Sequence, residues 1–415
     1  MKNRKFRSIT RVVLILAAAL SFALVGTQCA KKPKAVEKYK IGAIFASTGP
    51  ASMLGLPEKN TVEMLEEAIN ADGGINIRVQ VGRDWENLGI PIEVIMYDTE
   101  ADPTKTVTAT KKLIESDQVD VIIGPTTSGT SLAIVDIVAE AEIPLISCAA
   151  SVRIVEPVSE RYWVFKTPQT DVMAVEKIYT KMQNDGLKKI AIITVSNGFG
   201  DSGRAQLQNL ASKYGLTIVA DERFGAKDTD MSAQLTKIKG SDAEAIICWG
   251  TNPGPAVIAK NRKQLGITIP LYNSHGVASP KFIELAGDAA EGTFLPAGKL
   301  IVVDQLAAND PQREVLSQYK ADYEGRFGAG TVNTFGGHAY DALKIAVMAI
   351  ENAAAAGTKE AGKVTRATIR DEIEKIKGFY GTGGIFNYSA SDHNGLTKEG
   401  FVMVEIKNGT WNLAE

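Results

Sequence analysis

Cysteine is scarce in this 415-residue chain. Cys29, Cys148 and Cys248 are the only three, too few for a disulfide framework. Histidine is equally rare, at His275, His338 and His393, so acid–base catalysis has few candidates. No His, Cys, Asp and Glu fall at metal-ligand spacing, so neither a metal nor a cofactor is expected. A basic excess is also missing. The formal net charge is −2, and setting aside five basic residues in the opening segment leaves about −7, which argues against a nucleic-acid partner. Apart from the stretch 12–25 there is no long apolar run, and that one is too short to span a bilayer.

What is present begins with an export signal. Lys2, Arg4, Lys5, Arg7 and Arg11 precede the apolar stretch Val12 to Val25. Gly26-Thr27-Gln28-Cys29 resembles the lipobox of bacterial lipoproteins, with Gln28 where a small residue is usual. That resemblance implies a signal over 1–28, lipid on Cys29, and a tether over 29–38. Plain cleavage giving a soluble secreted protein is the alternative.

The stretch Asp120 to Ser151 organises the rest. Val121-Ile122-Ile123 reads as a strand ending at Gly124-Pro125. Leu132, Ile134, Val135, Ile137 and Val138 share a helical face, and Ile143 to Ile146 is a second strand. This is the pattern of a parallel sheet buried on both faces. Ligands of open α/β sheets sit beyond the carboxyl ends of the strands. Ser128, read as the cap of a helix from Gly129, is either an ordinary cap or a seat for a carboxylate. A similar unit returns at Glu244 to Ser279, and Ile269-Pro270-Leu271 echoes Ile143-Pro144-Leu145. Two like units predict two lobes facing across a cleft.

Other elements follow in order. Strands are expected at Ile41 to Phe45 and Ile92 to Tyr97, with a helix from about Pro57 to Asn70 between them. Ile75 to Ile90 reads as two strands turned near Asn87. The strand Ile190 to Val195 leads into Gly198-Phe199-Gly200-Asp201-Ser202-Gly203, a G-x-G-x-x-G with Asp221 further on. A dinucleotide site is rejected, because Ser196 and Asn197 lengthen the turn and an exported chain meets no NAD pool.

In their order and spacing, these pieces resemble the type I periplasmic binding proteins of branched-chain amino acid ABC transporters. The resemblance rests on Thr48-Gly49-Pro50, Gly124-Pro125 with Ser128, Ser147 to Ser151, Gly198-Phe199-Gly200 and Gly337 to Ala342, and runs from Tyr39 to the end. It implies an α/β fold of two doubly wound lobes with parallel-sheet cores, joined by a three-crossing hinge. Lobe one would comprise 39–167 and 300–382, and lobe two 168–299 and 383–415. It also implies a monomeric, non-enzymatic, extracytoplasmic solute-binding protein that hands a small molecule to a membrane permease.

Carried over position by position, the resemblance implies ligand contacts at Leu54, Ser128, Ala149, Ser151, Phe199, Thr251 and His275. His275 stands where the family has a glutamate that pairs with the ligand's ammonium group. A neutral histidine cannot neutralise an ammonium. The ligand is therefore either a branched-chain or related amino acid, or an amine-free aromatic or aliphatic acid. A sensor subunit of the same fold is the runner-up. A secreted hydrolase would need His275 beside Ser128 or Ser151. His338 and His393 are read as a helix-start and a loop residue.

Overall fold

The computed structural model describes residues 37–81, 84–355 and 364–414. The export signal, Cys29 and most of the tether lie outside them. Lobe one opens with β1 (Tyr39–Phe45), α1 (Ser52–Ala71), β2 (Ile75–Val81), β3 (Asp84–Ile90) and β4 (Ile92–Asp98). It continues with α2 (Pro103–Lys112), β5 (Val121–Ile123), α3 (Ser128–Leu132), α4 (Val135–Glu140), β6 (Leu145–Ser147) and β7 (Val164–Lys166). The sheet order is β4-β1-β5-β6-β7, and every pair is parallel. Strands covered on both faces need apolar side chains on both, which is why Val121, Ile122 and Ile123 are all fully buried.

Three local details differ from expectation. α1 begins at Ser52 rather than Pro57, because Gly55 lets its first turns lie on the end of β1: a Cβ there would meet the Ala46 carbonyl oxygen at 2.3 Å. The excursion turns between Val81 and Asp84, while Asn87 pairs with Arg78 inside the ladder. The helix after β5 is broken into α3 and α4 around Ala133–Ile134.

The chain then crosses to lobe two through 167–170. Here lie α5 (Asp171–Asn184), β8 (Lys189–Val195), α6 (Gly198–Ala211), β9 (Thr217–Phe224), α7 (Ser232–Lys239) and β10 (Ala245–Trp249). They are followed by α8 (Gly254–Gln264), β11 (Leu271–Asn273), α9 (Pro280–Ala286) and β12 (Phe294–Gly298). The 3₁₀ segment Lys299–Gln305 leads back to α10 (Arg313–Phe327), α11 (Thr334–Ala355), α12 (Arg366–Lys375) and the hairpin β13 (Lys377–Tyr380) with β14 (Ile385–Asn387). Finally β15 (Phe401–Lys407) and β16 (Thr410–Leu413) join lobe two's sheet, whose order is β16-β15-β12-β11-β10-β8-β9. Asn408 and Gly409 both have positive φ, as their tight turn requires.

α11 fastens lobe one. Ala339, Ala342, Leu343, Ile345, Ala346 and Ile350 are fully buried against β1, β5 and β6. Burying one such Leu or Ile contributes about 1.5–3 kcal/mol. Tyr388 and Leu396 belong to the same core, so the chain stays with lobe one through Leu396 rather than passing to lobe two at 383. Gln169 ties first and third crossings together, its Nε2 donating to the Gly383 carbonyl at 2.5 Å and the Gly400 carbonyl at 3.3 Å.

Candidate functional site

The carboxyl ends of β1, β5 and β6 in one lobe and β8, β10 and β11 in the other face a single cavity of about 610 Å³. The lobes also touch beside it. Ser151 Oγ donates to Ser202 Oγ at 2.7 Å, and a Cβ on Gly198 would lie 3.1 Å from Gly129 Cα. The two lobes are therefore in contact at one side of the cavity, which stays partly open to solvent.

Lobe one's wall is polar and finely built. Thr127, not Ser128, caps α3, accepting the Thr130 N–H at 3.4 Å. Ser128 is the first helical residue, lines the cavity, and its Oγ accepts the Ser151 N–H at 3.3 Å. Ala149 also lines the cavity, but its N–H already donates to Ser147 Oγ at 3.1 Å. Ser151 does not line it; the hydroxyl points across to α6 and is spent on Ser202. Leu54 lines the cavity from α1. Thr126, at the carboxyl end of β5 where ligands of such sheets sit but not among the carried-over contacts, also lines the cavity; it accepts the Ala46 N–H at 3.0 Å and bonds the Glu58 carboxyl. Glu58 is wholly buried, and burial pushes its carboxyl well above the usual range.

Lobe two's wall is aromatic. Asn197 caps α6 by accepting the Phe199 and Gly200 N–H groups at 3.1 and 3.0 Å, which directs Phe199 into the cavity. Phe199 meets His275 edge-on, with centroids 5.5 Å apart, and leans on Trp249 at 5.6 Å. The glycine pattern here serves packing. A Cβ on Gly200 would lie 1.7 Å from the Val195 carbonyl oxygen, and one on Gly203 would lie 2.1 Å from the Trp249 indole. Asp221 is engaged by Arg204, at 2.9 and 2.6 Å. Thr251 and His275 both line the cavity, as does Asn252, whose buried Oδ1 has no partner.

His338, expected to be a plain helix-start residue, sits within α11 and lines the cavity opposite His275. Both histidines are buried, both ring nitrogens of His275 and Nδ1 of His338 lack partners, and each imidazole is pushed down to about 3 by burial first and then by Lys166. Lys166 is wholly buried and donates to the Pro168 carbonyl at 2.5 Å; burial pushes its ammonium down to about 7. His393 is structural, stacked on Phe165 with its Nδ1 2.9 Å from the Val164 carbonyl.

Ser128 and His275 share the cavity, but His275 has no orienting acid, so the elements of a nucleophile–base–acid relay are not assembled there. No cluster of His, Cys, Asp and Glu among the described residues could hold a metal. Cys148 and Cys248 are both buried free thiols.

A family model described as periplasmic binding protein matches residues 38–410. The leucine-, isoleucine-, valine-, threonine- and alanine-binding protein of Pseudomonas aeruginosa is 24% identical over 359 residues, covering 85% of this chain and 89% of that protein. An extracellular ligand-binding receptor from Rhodopseudomonas palustris superposes with a TM-score of 0.81 at 28% identity, covering 91% of this chain and 99% of that one. The branched-chain amino acid transporter substrate-binding protein LivJ of Streptococcus pneumoniae, solved with isoleucine, superposes at 0.75 with 26% identity, over 91% and 99%.

Proposed function

Because the chain belongs to the periplasmic binding protein family, whose relatives are binding proteins and not enzymes, we propose that it is the extracytoplasmic solute-binding component of an ABC importer. It captures one small carboxylate-bearing molecule between its lobes and presents the closed form to a membrane permease. The observation that supports this most is the interlobe cavity of about 610 Å³, a size suited to a small organic ligand, between lobes that touch beside it. Leu54, Ser128, Ala149, Phe199, Thr251 and His275 face the ligand. Ser151 acts one step back, holding the lobes together through Ser202. Ligand that bridges both walls shifts the population toward closure. The chain works as a monomer, held at the membrane by lipid on Cys29, and Cys29→Ala should abolish labelling with a fatty-acid probe.

A thermal-shift screen with amino acids, aromatic acids and short fatty acids tests the reading. A ligand that binds only the folded chain raises its Tm, by an amount that grows with its concentration over Kd. A rise with at least one carboxylate is expected. No rise with any of them contradicts the assignment to small carboxylates.

A further inference from the structure

We propose that the cleft selects carboxylates that lack an amine, with the polar end of the ligand meeting His275, His338 and the Ser128 hydroxyl and its apolar body lying against Phe199 and Leu54. This rests on the small-carboxylate reading and narrows it.

The first support is a set of partnerless polar atoms on lining residues, covered in this structure and reached by a ligand through a turn of the side chain. Nδ1 and Nε2 of His275, Nδ1 of His338 and Oδ1 of Asn252 all lie on lining residues. Leaving such atoms unpaired is costly, and a ligand that bonds them recovers that cost. The two imidazoles come from opposite lobes, so a ligand group held between them also favours closure.

The second support is the placement of charge. Among the described lining residues the acidic ones are Glu100 and Asp102. Both are exposed at the rim and both are engaged, Glu100 with Lys105 and Asp102 as the cap of α2, accepting the Lys105 N–H at 2.8 Å. The deep part has no carboxylate on its lining. Behind it lies the buried Lys166, its ammonium pushed down to about 7 by burial and partly held up by the buried Asp171. Glu58, the buried acid behind Thr126, is not on the lining, and burial pushes its carboxyl well above the usual range. An α-ammonium carried into this site loses its water and finds no acidic side chain on the deep lining to meet it. A carboxylate finds the Ser128 hydroxyl and two neutral imidazoles as hydrogen-bond donors. The body of the ligand meets Leu54, Phe199, Phe224 and Phe335, which suit a branched or aromatic frame.

The test uses matched pairs that differ only in the ammonium group: isocaproate against leucine, and hydrocinnamate against phenylalanine. Calorimetric titration of the exported chain should give an amine-free member that binds at least about tenfold tighter than its amino acid in one pair or both. Equal or tighter binding of leucine or phenylalanine overturns the proposal and leaves the small-carboxylate reading intact. Binding by no carboxylate overturns both. His275→Glu should erase or reverse the preference by supplying the missing acid. His275→Gln keeps a neutral hydrogen-bonding group and should retain it, which separates charge from damage to the fold. An unchanged preference in a folded His275→Glu variant removes His275 from the ligand's polar end.

Discussion

The two walls of the cleft are built by the same strand–loop–helix plan and end in opposite chemistry. Lobe one presents hydroxyls, Thr126, Thr127 and Ser128, on a loop held by Glu58 and the Ala46 N–H. Lobe two presents the rings of Phe199, Phe224 and His275 on loops held by small residues and an Asn cap. Lobe one supplies most of the hydroxyls and lobe two most of the rings, while Leu54 and Phe335 add apolar cover from lobe one and Thr251 and Asn252 add polar groups from lobe two. Specificity for the polar end then depends on the few groups that break this division, His275 on the aromatic side and His338 on the polar side.

The largest expected effect tests those two histidines. Each protonates at about 3 in the folded chain, against an ordinary 6.5. The unfolded chain therefore binds more protons between these values, so the stability is present above pH 6.5 and is lost as pH falls toward 3. At pH 5 the loss should be about 2 kcal/mol per histidine relative to pH 7. Urea unfolding at the two pH values checks it, and His275→Asn should remove roughly half. Next comes the aromatic wall. Gly200→Ala forces a Cβ against the Val195 carbonyl and should cost about 3 kcal/mol of stability, independent of any nucleotide added.

These two cases also mark where the sequence was legible. The paired strand–helix units, the Asn408-Gly409 hairpin and the two-lobed plan follow from periodicity and turn chemistry, which are local. The G-x-G-x-x-G was visible, but its purpose was not, because Val195 and Trp249 meet those glycines only after the sheet forms. Ser128 and Ser151 read alike in sequence and differ in space, since only the docking of α6 draws the second hydroxyl to Ser202. His338 was read only as a helix-start residue because its place on the cavity depends on how α11 packs across the sheet, which is not a local signal. Glu58 and Lys166 gave no signal, since solvated side chains of those types look the same in sequence.

Two smaller predictions sharpen the contrast between the serines. Ser128→Ala should weaken ligand binding about tenfold, roughly 1.4 kcal/mol, and also lower the unliganded Tm, because the Ser151 N–H loses its acceptor. Ser202→Ala removes the bond to Ser151 and should weaken affinity by about 1 kcal/mol without touching ligand, read as a more open form by small-angle scattering. If both variants lose affinity while only Ser202→Ala opens the lobes, the two serines do separate work.

The most direct measurement is a crystal structure of the protein grown with the carboxylate that raises its Tm most. The account predicts one ligand in the cleft, its polar end within about 3.2 Å of Ser128 Oγ and of a His275 ring nitrogen, and Phe199 over its body. Ligand bound elsewhere, or an amine seated against His275 with the Ser128 hydroxyl unused, would contradict it.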